Sequence, residues 1–217
     1  MRPGTALLAF AALATASVAG EPDSTAFEPE QISAWPAVEF EGQTDYSLQS
    51  AAAAAAPHAA VRAVCDNASA SGLILERKID LGSTPILDWE WRVDSVYTNL
   101  DERSKTGDDY PARIYMIARR WPQWRSRVIS YVWSNAQPVG SDWPNAFAGQ
   151  FRMLAVRSGS EGLGQWHSER RDVRADFRAL HGIDLDTIDA LAIMTDCDNA
   201  GQSTTAWYGP IRWLSGP

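Results

Sequence analysis

The chain has 217 residues, of which 45% are hydrophobic and 21% are charged, so it is long enough to bury a sizeable core. Its 27 acidic residues outnumber its 19 basic residues and give a formal net charge of -8. This balance disfavours a general binder of nucleic acid or of an anionic membrane, and it indicates a neutral or cationic partner.

The N-terminus has the pattern of an export signal. Arg2 precedes a short apolar run over residues 5–18, and residues 17–19 are small enough for cleavage. We therefore expect residues 1–20 to be a signal peptide and residues 21–217 to form one periplasmic or secreted domain. No later segment has the roughly 20 apolar residues that a membrane span needs.

From residue 36 onward, the sequence alternates between apolar and polar residues, with Gly, Pro, Asn and Asp between the periodic stretches. Asp172 as a cap and Gly182 as a terminating residue predict one short helix near 172–181. The pattern favours an all-β protein with minor α, built as an antiparallel two-sheet β-sandwich of jelly-roll type. The predicted strands lie near residues 37–41, 45–49, 60–66, 73–80, 86–94, 112–119, 126–134, 150–158, 164–169, 187–196 and 204–214.

Two cysteines, Cys65 and Cys197, lie at the ends of an early and a late predicted strand. In an exported protein they could form a disulfide, which would constrain the unfolded chain by about 4 to 5 kcal/mol because the closed loop is long. Two separately buried thiols are the alternative, since the sequence does not show that the Cα atoms approach within about 7 Å.

Two connections, 95–111 and 135–149, are long and lack periodicity, and ordered loops of this length are usually functional. Because two antiparallel strands separate them, both should emerge at the same end of the sandwich.

The first of these loops and the start of the next strand, residues 101–113, carry four acidic and three basic side chains. Such carboxylates could bind calcium, bind sugar hydroxyls, or act as acid and base. The alternative is a solvated loop braced by ion pairs, with Asp108 and Asp109 capping backbone N–H groups.

Aromatic residues next to this loop suggest a binding platform. Alternation places Arg113 and Tyr115 on the polar face of one strand, while Tyr131 and Trp133 share a face of the next. Flat rings stack on sugars and Arg offers fixed donors, so these four residues predict a platform, with ordinary core packing as the alternative.

Polar residues in the second loop and in a late turn complete the candidate site. Asp142 and Asn145 could form a polar rim around a polyol, or they could order the loop through turn hydrogen bonds. Asp196, Asp198 and Asn199 end an apolar strand and could bind a divalent ion or close a turn. The candidate ligands of a structural calcium ion are Asp101, Glu102, Asp196 and Asp198.

The sequence lacks the G-x-S-x-G, H-E-x-x-H, C-x-x-C and Walker motifs, so serine-triad, zinc and nucleotide chemistry have no direct support. Four segments resemble the signatures of a bacterial exported family, domain of unknown function number 3047: "TNLDERSKTGDDYPARIYMI", "YVWSNAQPVGSDWPNAFAG", "AVRSGSEGLGQWHSERRDVRADF" and "AIMTDCDNAGQSTTAWYGPI". The resemblance runs from about Trp35 to Trp213 and implies a galactose-binding-like β-sandwich, the architecture of many carbohydrate-binding modules. The family pattern has small or polar residues where this chain has Cys65 and Cys197, and this paired departure favours a disulfide particular to this chain.

Three functional hypotheses remain at this point. The first is a glycan-binding module with its site at the end formed by loops 95–111 and 135–149. The second is a glycan-acting hydrolase or lyase that uses two carboxylates from the set Glu102, Asp108, Asp109, Asp196 and Asp198. The third is a structural or interaction domain without a small-molecule site, which would lack a concave surface with convergent polar groups.

Overall fold

The computed structural model describes residues 25–66 and 68–216. Two β-sheets pack face to face, which confirms the predicted β-sandwich. The predicted signal peptide lies outside the described residues. Within them, no helix has the length and apolar content that a bilayer-spanning helix requires.

The sandwich is built from short and medium strands. In chain order they are β1 (Thr25–Phe27), β2 (Ala37–Glu41), β3 (Asp45–Gln49), β4 (Ala60–Cys65), β5 (Ala70–Leu75), β6 (Ile79–Asp80), β7 (Ile86–Val93), β8 (Ala112–Ala118), β9 (Arg127–Ser134), β10 (Asp142–Pro144), β11 (Phe151–Ser158), β12 (His167–Asp172), β13 (Thr187–Ile188), β14 (Ala190–Asp196) and β15 (Thr204–Leu214). The α-helices are α1 (Pro29–Ile32), α2 (Ala51–Ala54) and α3 (Val173–His181).

The six-stranded sheet has the order β12-β7-β15-β4-β3, and β1 also pairs with β15. The seven-stranded sheet has the order β10-β11-β9-β8-β14-β5-β2, and β6 pairs with β13 separately. Two predicted strands are each divided, because 73–80 holds β5 and β6 while 187–196 holds β13 and β14.

One strand pair departs from the antiparallel prediction. β9 and β11 are parallel, with Phe151 opposite Val128 and Ser158 opposite Ser134. The reason is the connection between them, since it carries β10 back along the sheet edge and returns the chain to the start of β9. The rest of the pairing in both main sheets is antiparallel, as predicted.

Helix α3 begins and ends as predicted. The Asp172 side chain accepts a hydrogen bond from the N–H of Ala175 at 2.8 Å, and Gly182 ends the helix with φ of 66°. Val173 and Phe177 are buried in the core. The run of six alanines at residues 51–56 contains the single turn α2, which Ser50 caps and tertiary packing stabilises.

Aromatic side chains fill the space between the two sheets. Trp89 stacks on Tyr131 with ring centroids 5.5 Å apart, and Trp91 lies 6.0 Å from Trp133. All four are fully buried. Trp89 and Trp91 therefore belong to the core.

The alternation along β8 separates the core from the outer surface. Ala112, Ile114 and Met116 belong to the core, so Arg113 and Tyr115 lie on the outward face of the seven-stranded sheet. The structure therefore places the charged beginning of β8 on the outside of the sandwich.

Cys65 and Cys197 form a disulfide with a Cα–Cα distance of 6.0 Å. The bond joins the end of β4, in the six-stranded sheet, to the residue that follows β14, in the seven-stranded sheet. Cys197 lies between Asp196 and Asp198 in the sequence, so the bond anchors the turn that carries these two residues.

Candidate functional site

The outward face of the seven-stranded sheet carries a buried ion pair. Arg113, at the start of β8, is only 3% exposed. Its Nε donates to Asp196 Oδ1 at 3.0 Å, and its Nη2 pairs with the other oxygen of Asp196. Nη2 also donates to the backbone carbonyl of Asp108 at 3.1 Å. The sheet thus holds Asp196 at the end of β14 and the Asp108 loop in fixed positions.

Asp108 is the buried carboxylate with unused hydrogen-bonding capacity. Its Oδ2 accepts a hydrogen bond from Asn145 Nδ2 at 2.7 Å and lies 3.8 Å from Arg113 Nη1. Its Oδ1 is buried and has no hydrogen-bond partner among the described residues, although the residue is only 6% exposed. Burial raises the pKa of Asp108 above its ordinary value, and the positive charge of Arg113 opposes that shift.

A second group of carboxylates lies beside this pair. Asp109, Asp196 and Asp198 place carboxylate oxygens within 4.8 Å of one another. Asp109 accepts hydrogen bonds from the backbone N–H of Asn199, at 2.8 Å, and from that of Ala200. Burial and the neighbouring Asp109 carboxylate raise the pKa of Asp198. Asp198 and Asn199 are therefore held next to the Arg113 pair by the loop that contains Asp109.

Glu102 ties the two long loops together. It is fully buried and accepts hydrogen bonds from the Ser134 hydroxyl at 2.7 Å and from the backbone N–H of Asn135 at 2.6 Å. The N–H groups of Ala136 and Gln137 also donate to it, at 3.3 and 3.2 Å. The two loops meet at the same end of β8 and β9, as strand parity predicted.

Beyond this contact, both loops fold over the outward face of the sheet instead of standing at its end. Tyr110 stacks on Trp143, and together with Val132, Met153 and Ala155 they form a small second core. This packing fixes the loops against β9 and β11.

A cavity of about 410 Å³ remains between the folded loops and the rest of the outward face. Phe40 from β2 and Phe147 from the second loop lie at its margin and are 70% and 61% exposed. Polar side chains converge on the same cavity: Glu41, Asp108, Arg113, Asn145, Asp196, Asp198 and Asn199. Its apolar lining includes Tyr115, Phe151 and Met194.

A family model described as "Protein of unknown function (DUF3047)" matches residues 33–212. The chain belongs to the DUF3047 family. This membership confirms the resemblance that the four sequence segments indicated. No curated protein matches the chain significantly.

Several solved structures are similar to this DUF3047 chain. The family 11 carbohydrate-binding module of cellulase Lic26A-Cel5E of Clostridium thermocellum is 10% identical, with 91% of this chain and 97% of that chain covered and a TM-score of 0.49. The family 30 module of a second C. thermocellum cellulase, CEL9D-CEL44B, is 9% identical, with coverages of 83% and 90% and a TM-score of 0.46. The xyloglucanase domain of NopAA from Sinorhizobium fredii is 10% identical, with coverages of 84% and 93% and a TM-score of 0.42.

The cavity brings together most of the sequence-predicted ligand residues of this DUF3047 protein. The exceptions include Tyr131 and Trp133, which are buried in the core instead of forming a platform with Arg113. Tyr131 donates its hydroxyl to Asp176 and Trp133 donates its ring N–H to the Gly159 carbonyl. The register explains the error: Tyr131 lies opposite Ile114, so it shares the inward face, and a sequence does not specify which faces of two strands align.

Four further candidates lie outside the cavity. Asp142 pairs with Arg152 at the edge strand β10. Asp101 accepts the N–H of Arg103 at 3.2 Å in a turn, and it lies outside the carboxylate cluster, as does Glu102. Asp109 is adjacent to the cavity but its carboxylate is committed to the Asn199 turn.

Sequence reasoning missed the aromatic rings at the cavity margin. Phe40 is an exposed ring in a strand whose neighbours Glu39 and Glu41 are acidic, and this isolated apolar residue is the one local signal. Phe147 and Phe151 reach the cavity because the second loop folds across the sheet. No periodic pattern in the sequence predicts this fold of the loop.

Proposed function

We propose that this domain binds a glycan in the cavity on the outward face of the seven-stranded sheet. The observation that carries the proposal is Asp108, a buried carboxylate that lines a cavity with aromatic rings and whose Oδ1 has no hydrogen-bond partner among the described residues. A buried acceptor is costly to leave unpaired, so a ligand that donates a hydrogen bond there gains affinity.

The lining favours a polyhydroxylated ligand. Carboxylate and amide oxygens accept from hydroxyl groups, while Arg113 and Asn145 hold the acceptors in place. Phe40, Phe147 and Tyr115 offer flat apolar surface of the kind that packs against the C–H faces of a sugar. A concave site with a few fixed polar groups on an apolar lining is the usual form of a small-ligand site.

Binding should be tested with purified protein and a panel of soluble β-1,3-1,4-glucan, galactomannan, xylan and dextran, by affinity electrophoresis and calorimetry. We expect Asp108→Asn to weaken binding about tenfold or more, because an amide must turn its oxygen towards Asn145 and so present a donor where Oδ1 now accepts. Asp142→Asn is the matched control, since it makes the same chemical change outside the cavity. Equal affinities of the two variants, or no binding by the wild-type protein, would contradict the proposal.

A second candidate function, a glycan hydrolase or lyase, is favoured by one observation. Asp108 and Asp198 both line the cavity and both have a raised pKa, as a general acid requires. Prolonged incubation with a bound polysaccharide would release reducing ends or unsaturated products, and Asp198→Asn would abolish their release. If the bound polysaccharide stays intact, the hydrolase or lyase hypothesis is contradicted and glycan binding is the only proposed function that remains.

Two further features belong to the proposal. We propose that the domain works outside the cytoplasm, periplasmic or secreted, and its disulfide is consistent with export. A structural calcium ion is a separate prediction, in which Asp196 and Asp198 are the candidate ligands that lie close together, and calorimetry with calcium and with a chelator tests it.

A further inference from the structure

A second cavity lies on the same outward face, at the other end of β8. It has a volume of about 750 Å³ and lies between the β8–β9 hairpin and the start of β11. Its lining includes Trp121, Trp124, Ile117, Val128 and Phe151. The two tryptophans are 89% and 70% exposed, an unusual position for side chains of this size.

The two cavities are neighbours along one strand. Tyr115 lines the first and Ile117 lines the second, and these residues are adjacent on the same face of β8. Phe151 lines both cavities. From Arg113 to Arg119 the strand covers roughly 20 Å, so the combined surface is much longer than one sugar ring.

Exposed aromatic rings mark both ends of this surface. Within residues 25–66 and 68–216, the exposed large aromatic side chains are Phe40, Trp121, Trp124 and Phe147. Each of them lines one of these two cavities. Such a concentration on one face of the sandwich indicates a binding surface, since isolated exposed apolar side chains would be scattered.

The charges of the two ends are opposite. The first cavity is lined by Arg113 and by four acidic side chains, Glu41, Asp108, Asp196 and Asp198, whereas the second is lined by Arg120 and by Arg119, which pairs with Glu76. A polyanion along the whole surface would be repelled at the first end, and a polycation at the second. An uncharged chain avoids both penalties.

We infer that the two cavities form one groove for a linear, uncharged polysaccharide, with Trp121 and Trp124 stacking on sugar rings beyond the Asp108 cavity. This inference rests on the proposed function and deepens it, because it gives the ligand a shape, a charge and a length. Indole rings supply large flat contact area, and Gln123 and Gln150 in the same lining offer amide groups to hydroxyls.

The test uses the double variant Trp121→Ala/Trp124→Ala and oligosaccharides from disaccharide to hexasaccharide, prepared from the bound member of the β-1,3-1,4-glucan, galactomannan, xylan and dextran panel. Both side chains are largely exposed, so their removal leaves the core intact. Leu48→Ala is the matched control, because it removes an exposed apolar side chain from the six-stranded sheet. Thermal unfolding of each variant confirms that it is folded.

We expect the wild-type affinity to rise with oligosaccharide length. The double variant should bind the hexasaccharide about tenfold more weakly while its disaccharide affinity is unchanged, whereas Asp108→Asn should weaken both. Hexasaccharide affinity equal to that of the Leu48 control would overturn the extended groove and leave the proposed function standing. No glycan binding by the wild-type protein would remove the proposed function itself.

A vesicle experiment separates the glycan from a membrane surface, which exposed Trp and Arg side chains also suit. Vesicles of phosphatidylglycerol should not retain the wild-type protein at physiological salt. Retention that the double variant loses would assign the hairpin to an anionic bilayer and overturn the inference.

Discussion

Two carboxylates of the same charged loop have opposite situations. Glu102 is fully buried, and its oxygens accept hydrogen bonds from Ser134 and from three successive backbone N–H groups. Asp108 is nearly as buried and lines the cavity, yet its Oδ1 has no hydrogen-bond partner among the described residues. A buried carboxylate with all its acceptors used stabilises the fold, whereas one with an unused acceptor has the means to bind a ligand.

The same contrast holds between the two faces of the seven-stranded sheet. On the inner face, Tyr131 and Trp133 use both their rings and their polar atoms within the protein. On the outer face, Trp121 and Trp124 leave most of their ring surface in water. The inner aromatic residues serve stability, and the outer ones carry surface that only a ligand would cover.

The largest expected effect is a loss of stability on removing the disulfide that anchors the turn with Asp196 and Asp198. Replacing both Cys65 and Cys197 by Ser opens a closed loop with a sequence separation of 132. We expect the free energy of unfolding to fall by about 4 to 5 kcal/mol, because the unfolded chain regains conformational freedom. Denaturant unfolding at pH 7, compared with the disulfide-intact protein, measures the loss.

This variant also tests which contacts hold the site together. The Asn199 and Ala200 N–H groups still bind Asp109 after the disulfide is removed, so glycan affinity should change little under conditions where the variant is folded. A large loss of affinity in the folded variant would show that the disulfide itself positions Asp196 and Asp198.

A smaller loss of stability is expected when Glu102, the carboxylate that accepts several hydrogen bonds, is replaced. Glu102→Ala leaves the Ser134 hydroxyl and several backbone N–H groups without their acceptor, at a cost of about 3 kcal/mol. Glu102→Gln retains one acceptor oxygen and should lose less. Chemical denaturation of the two variants gives the comparison, and equal stability of Glu102→Ala and the wild-type protein would contradict the role of Glu102 as an anchor.

The sequence predicted the sandwich because its signals are local. Alternation placed most strands, and the Asp172 and Gly182 positions specified helix α3. Within each strand, alternation also assigned the correct shared faces, so Arg113 and Tyr115 were correctly paired, as were Tyr131 and Trp133.

The candidate site was only partly predictable because it depends on non-local geometry. The alignment of β8 with β9 decides that Tyr131 is internal, and that register is set by the whole packed sheet. Phe40 joins the cavity through β2, which is distant from β8 in sequence, and Phe147 joins it through the fold of a long loop. The difference between Glu102 and Asp108 is likewise invisible in a sequence, because it depends on which donors lie within reach.

The smallest expected effect is a pH dependence of the free energy of unfolding, which tests how Asp108 differs from Glu102. Burial raises the pKa of Asp108, so the folded protein holds this proton more tightly than the unfolded chain does. The stabilising contribution of the protonated group is therefore complete below the unfolded pKa of about 4 and is lost as the pH rises through the folded pKa. The Asp108→Asn variant has no titrating group at this position, so its stability does not contain this pH-dependent contribution. Between pH 4 and 7 the wild-type protein loses the contribution and the variant does not, so the stability of the variant relative to the wild-type protein should increase.

The relative measurement isolates Asp108 from the other titrating groups around it. Asp198, whose pKa is also raised, and the Asp196–Arg113 pair are present in both proteins, so their contributions largely cancel. Unfolding of both proteins at several pH values gives the difference directly. A relative stability that is constant with pH would mean that Asp108 is ionised at no cost, and then its unpartnered Oδ1 would no longer explain why a ligand should bind there.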